Sequence, residues 1–129
     1  MIVRAMIFFV GLANLANGLF MVSAPERWFG SVPGVPLPFN PHFVMDIGMA
    51  YAAGGVGLSL GARRGRSFAL LACAGAAWPV LHALIHIDGW AMHGFPSDPQ
   101  VAISEAVGVV ALAAFGAALA WLRLIGEPQ

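Results

Sequence analysis

Four apolar runs, each near twenty residues long, dominate this chain: about 5–22, 42–61, 67–87 and 101–125. Roughly 20 apolar residues in a helix span the ~30 Å hydrocarbon core of a bilayer. Helix is the expected form, because a backbone facing lipid must satisfy its own hydrogen bonds. A β-barrel would instead alternate apolar and polar residues over ~10-residue strands, and a run such as Ala69–Ala77 does not alternate. The expectation is an all-α, multi-pass, up-down four-helix bundle forming a single transmembrane domain, with the lipid bilayer as its partner. Composition agrees: 60% of residues are hydrophobic and 9% charged, against ~25% charged in a soluble domain.

The arginines orient the bundle. Arg4 precedes the first segment, Arg63, Arg64 and Arg66 fill the link between the second and third, and Arg123 ends the fourth; only Arg27 falls on the other side. This positive-inside bias places both termini in the cytoplasm. Trp28 and Trp90 suit the outer interface and Trp121 the inner one. The stretch Val22-Ser23-Ala24 resembles a signal-peptide cleavage site, but Pro25 follows it. The first run also exceeds the usual 7–15-residue signal core, so it is read as a retained helix. Net charge is zero, which argues against nucleic acid as a partner. The single cysteine, Cys73, excludes an internal disulfide and any cysteine-cluster metal site.

The inner link, roughly Ala62 to Arg66, is minimal and makes a tight hairpin of the second and third segments. The first outer loop carries Pro25, Pro33, Pro36, Pro38 and Pro41, which bars a long helix and suggests an extended segment lying over the bundle. The second outer loop is expected from about Asp88 to Gln100.

Ionisable side chains within membrane segments are costly and therefore candidates for function. His42 and Asp46 lie four apart at the start of the second segment, and His82 and His86 lie four apart near the end of the third. Each pair shares one helix face. About a turn centred near Arg64, His42 stands level with His86 and Asp46 level with His82. If both faces point inward, the pairs meet in the outer half of the membrane. Glu105 enters the same zone on the fourth segment. Asn14 and Asn17 reach it on the first, while Asp88 and His93 lie in the outer loop beside it. Small residues that permit close helix contact line the expected inner faces: Gly11 and Gly18; Ala50, Gly54, Gly57 and Gly61; Ala72, Gly75 and Pro79; Gly108 and Gly116.

Several chemistries suit this set. Imidazole and carboxylate favour zinc, iron, copper or nickel, with His42, Asp46, His82 and His86 as ligands and Glu105 as a fifth ligand or nearby base. Haem would need one axial histidine from each of two helices, such as His42 with His82 or His86. A quinone head group could lodge among polar residues at one end of a short bundle. The plain alternative is a polar cluster that only fixes helix packing, in a non-catalytic subunit, homo-oligomer or larger membrane complex. In that reading His42 caps its helix, Glu105 serves the helix dipole, and His93 and Asp98 are solvated. Transport finds no charged stepping stones in the inner half. Cys73, in mid-segment, reads as a packing residue.

The stretch Phe39-Asn40-Pro41-His42-Phe43-Val44-Met45-Asp46-Ile47-Gly48, with an Arg-rich turn and Leu81-His82-Ala83-Leu84-Ile85-His86 after it, resembles a group of small four-helix bacterial membrane proteins. In size and layout these are similar to the DoxX-like proteins. The resemblance covers mainly the second and third segments. It implies a four-helix fold and a bacterial inner-membrane location, and it implies no activity and no residue roles.

Overall fold

The computed structural model describes residues 1–34 and 38–127. Its long helices are α1 (Ile2–Ser23), α3 (Pro41–Leu60), α4 (Arg66–His93) and α5 (Pro99–Ile125), with a short α2 (Pro25–Ser31) after α1. All four long helices have the length and apolar composition to cross a membrane, consistent with a multi-pass membrane protein. No strand occurs among the described residues.

Local chemistry sets the helix ends. Pro25, Pro41 and Pro99 each stand in the first turn of a helix, where a missing N–H costs nothing. The Asn40 side chain caps α3 by accepting from the Phe43 N–H at 3.3 Å. Asp98, expected to be a solvated loop residue, caps α5 by accepting from the Gln100 and Val101 N–H groups at 2.8 and 3.0 Å. The cap of α3 is thus Asn40 and not His42. The second outer loop is also shorter than expected, because nothing stops α4 before Gly94, whose φ of 88° ends it. Asp88 and His93 are therefore exposed residues on the last turns of α4.

The helices form a ring: α1 packs on α3, α3 on α4, α4 on α5, and α5 returns to α1. Small residues bring the backbones together. A Cβ at Gly55 would stand 2.7 Å from the Gly11 carbonyl oxygen. Across α3–α4, a Cβ at Gly54 would lie 2.7 Å from the Gly75 carbonyl. That carbonyl has lost its usual donor four residues on, because Pro79 stands there inside α4. Gly116 is buried on α5, but Gly108 has nothing near its missing side chain and lines no helix contact. Large side chains point outward, among them Phe9, Leu19, Leu81, Ile85, Phe115 and Trp121. Small inside and large outside is the arrangement expected when lipid is the solvent.

The two ends of the bundle differ. The apolar core, built around Ile7, Leu58, Ala72, Ala76, Leu119 and Ala120, lies toward the end that carries both described termini and the α3–α4 turn. There Arg4 Nε donates to the Ala62 carbonyl at 2.6 Å, and buried Arg123 donates to the carbonyls of Gly61 and Arg63 at 3.1 and 2.9 Å. Glu127 pairs with Arg123 and accepts from the Gly65 N–H at 3.2 Å. α5 changes along its length: its last stretch, Leu112–Ile125, packs on both α4 and α1, whereas its Ser104–Ala111 stretch is π-helical and packs on α4.

The link between α1 and α3 contains α2, whose Trp28 indole N–H donates to Asn17 Oδ1 at 2.9 Å. Beyond it Gly34, at φ 74°, lies against Val101 and carries the loop across to α5. Pro36 falls outside the described residues.

Candidate functional site

The half of the bundle away from the arginine end holds a row of ring side chains on one face of α4. Trp78, His82, His86 and Trp90 are four residues apart in succession, so they stack along the helix about one turn apart. Trp78 and His82 lie nearly parallel, 6.0 Å between ring centres, and His82 meets His86 edge-on at 5.1 Å. Tyr51 of α3 closes on the deep end of the row, 5.8 Å from His82 and 6.5 Å from Trp78. Glu105 of α5 closes on the shallow end. Its Oε2 accepts from the Trp90 indole at 2.6 Å and stands 3.5 Å from His86 Nδ1. The site is thus built by three helices, with α4 supplying the row and its two neighbours supplying one polar side chain each.

The row is polar at one end and unsatisfied at the other. Trp90 and Glu105 satisfy each other, and His86 lies beside them. At the deep end the Trp78 indole nitrogen is buried with no hydrogen-bond partner. Tyr51 and His82 likewise make no side-chain hydrogen bond among the described residues. A buried, unpartnered indole N–H therefore lies beside a phenol ring and an imidazole ring, in helices long and apolar enough to cross a membrane.

The structure separates the residues expected to converge. It brings His82, His86 and Glu105 together and leaves His42 and Asp46 out. His42 Nδ1 and Asp46 Oδ2 pair with each other at 3.0 Å on the outside of α3, with 86% and 55% of their side chains exposed. The pair lies on the face of α3 opposite to the one expected. The buried residues of α3 begin with Val44 and Gly48. On a helix turning about 100° per residue, Asp46 points roughly 160–200° away from both. Among the described residues, no three His, Cys, Asp or Glu side chains come together in a way that could hold a metal ion. The expected metal set of His42, Asp46, His82, His86 and Glu105 is therefore not assembled. Haem clasped between His42 and a histidine of α4 meets the same obstacle.

The other candidates have local roles. Asn14 is buried and its amide donates to Val10 O of its own helix at 2.9 Å. Asn17 holds Trp28 and its amide reaches the Met21 sulfur at 3.7 Å. Asp88 and His93 are exposed. Tyr51 and Trp78 were not singled out in the sequence, and Trp90 was read only as an interface anchor. The four-residue spacing of Trp78, His82, His86 and Trp90 was the available signal. Comparison of the chain with known protein families, with curated proteins and with solved structures gives no match.

Proposed function

We propose that this chain is a ligand-binding protein of the bacterial inner membrane, oriented with its arginine end in the cytoplasm. Its ligand is a planar organic molecule with acceptor atoms on its rim, and quinones are the class of that description dissolved in membranes. The observation that carries this reading is the buried indole N–H of Trp78, which has no hydrogen-bond partner, with the rings of Tyr51 and His82 packed beside it. Polar atoms left unpaired in an apolar environment are costly. Carbonyl oxygens on the rim of a flat ring would accept from the indole N–H of Trp78 and from the phenol of Tyr51. The DoxX-like layout agrees with the proposed location.

A second reading is supported by the contact of Glu105 with Trp90 and His86. It ties the π-helical stretch of α5 to α4, as a packing lock in a non-catalytic subunit would. Titration of the detergent-purified protein with a short-chain quinone, read by quenching of tryptophan fluorescence, separates the two. Ligand binding predicts saturable quenching, weakened at least tenfold by His82→Ala and by Tyr51→Phe, with thermal stability of the unliganded variants little changed. Absence of saturable quenching, together with a His82→Ala variant that melts early, would sink the ligand reading and leave the lock.

A further inference from the structure

The pair His42–Asp46 has no part in the site just described, and its position is anomalous. α3 is the shortest of the four spans at 20 residues, which just matches the ~30 Å hydrocarbon core. It has no overhang to carry polar side chains clear of the membrane, unlike α4 with 28 residues. Asp46 lies more than one turn inside α3 and faces away from the bundle. An ionisable side chain in that position marks a place where something other than lipid covers the helix.

The surface around it has a regular form. His42, Asp46, Met49, Ala53 and Val56 are all exposed, and their spacing alternates between four and three residues. That is the spacing of a seam along which two helices pack. The glycine stripes of α3 are already consumed by α1 and α4, so this seam is what the helix has left. Ala53 at its middle is small enough for close approach, flanked by Met49 and Val56, 54% and 45% exposed.

We propose that this stripe of α3 is the contact surface with a second copy of the chain. The argument for a second copy is complementarity. A two-fold axis along the membrane normal sets identical stripes side by side at equal depth. Each copy offers both the imidazole of His42 and the carboxylate of Asp46, which pair with each other at 3.0 Å within one copy; side by side, each imidazole can exchange its own carboxylate for that of the other copy, and the pairing repeats by symmetry. The four side chains form one closed polar cluster out of contact with acyl chains, and the apolar seam below it packs helix against helix.

Single cysteines test the geometry in native membranes, in a Cys73→Ala background and under copper–phenanthroline oxidation. Met49→Cys and Ala53→Cys should give a cross-linked band of twice the monomer mass. Leu12→Cys and Leu84→Cys, on other exposed faces, should give little. Adding His42→Ala with Asp46→Ala should cut the Ala53→Cys dimer yield at least fivefold, and since both side chains are exposed the bundle itself should persist, checked by its helical circular dichroism. No band from positions 49 and 53 would overturn the proposal, as would equal cross-linking at the control positions. A cross-linked product of another mass would overturn it in favour of a different partner.

Discussion

Glu105 and Trp90 tie two helices together at the end of the bundle away from the arginines. A carboxylate 24% exposed in its side chain, meeting an indole N–H at 2.6 Å, is a charge-assisted bond in an apolar setting. Removing one partner leaves the other short of its solvation. Trp90→Phe should therefore destabilise the protein by about 1–3 kcal/mol, read as a lowered midpoint of unfolding in mixed detergent micelles. Glu105→Gln keeps an acceptor for Trp90 and should cost less than half as much. Equal losses in the two variants would show that the indole bond is not what holds Glu105. Sequence made Glu105, His82 and His86 visible because an ionisable group in a membrane segment has few reasons to be there. It offered Trp78 only through its four-residue spacing from His82, and it gave no signal for Tyr51, since aromatic residues in apolar segments are ordinary. It also could not choose the face of His42 and Asp46. Depth follows from counting residues along a hairpin, but rotation of a helix about its axis depends on which stripe its neighbours accept.

At the scale of the helix, the α1–α3 seam decides that rotation. Gly11, Gly18, Gly48 and Gly55 are buried there, and the carbonyl of Gly11 lies where a side chain at Gly55 would begin. Gly55→Leu should force the two backbones apart and destabilise the bundle by about 1–3 kcal/mol or more. Gly108→Leu, with open space around it, should have little effect in the same unfolding assay. The contrast checks whether close approach, and not loss of glycine as such, is responsible. Gly48 and Gly55, which complete the α1–α3 seam, were not singled out in the sequence, whereas Gly11, Gly18, Gly54 and Gly75 were legible there as packing residues and are buried. Gly108 did not behave that way because it belongs to the π-helical stretch of α5, whose wider turn shifts the angular position of every residue within it. A local change of helical period has no sequence signature of its own here. By contrast, the helix ends follow rules readable in advance: proline in the first turn, asparagine or aspartate just before it, glycine just after the last.

For the molecule as a whole, the arginine end is a knot of main-chain carbonyls held by guanidinium groups. Glu127 belongs to it. The hydrogen bond from Arg123 is the main cause that holds its carboxyl below the usual glutamate range, and the Gly65 N–H and the charge of Arg4 act in the same direction. A carboxylate with a lowered native pKa stabilises the folded state fully above its unfolded pKa, about 4.3. That contribution is lost as the pH falls through the depressed native value. Acid unfolding of the intact protein should accordingly steepen below pH ~4, and Glu127→Gln should flatten that limb while leaving the neutral and alkaline range alone. An unchanged acid limb would assign the acid sensitivity to other carboxylates. The four-helix layout and the gathering of arginines at one end followed from the sequence. The use of Arg123 as a buried clamp on Gly61 and Arg63 did not, because a terminal arginine on a membrane helix reads as a topology signal.

The uneven ends give the protein a gradient of motion. Where the apolar core and the arginine clamps lie, opening a backbone amide requires several contacts to break together. Near Ser104–Ala111 no residue is buried, and opening there breaks few. Amide hydrogens of α5 should exchange fast in its first half and slowly in its second, within one continuous helix. The bundle is then a peg held at one tip: the end that carries the arginine clamps should stay closed under conditions in which the opposite end loosens.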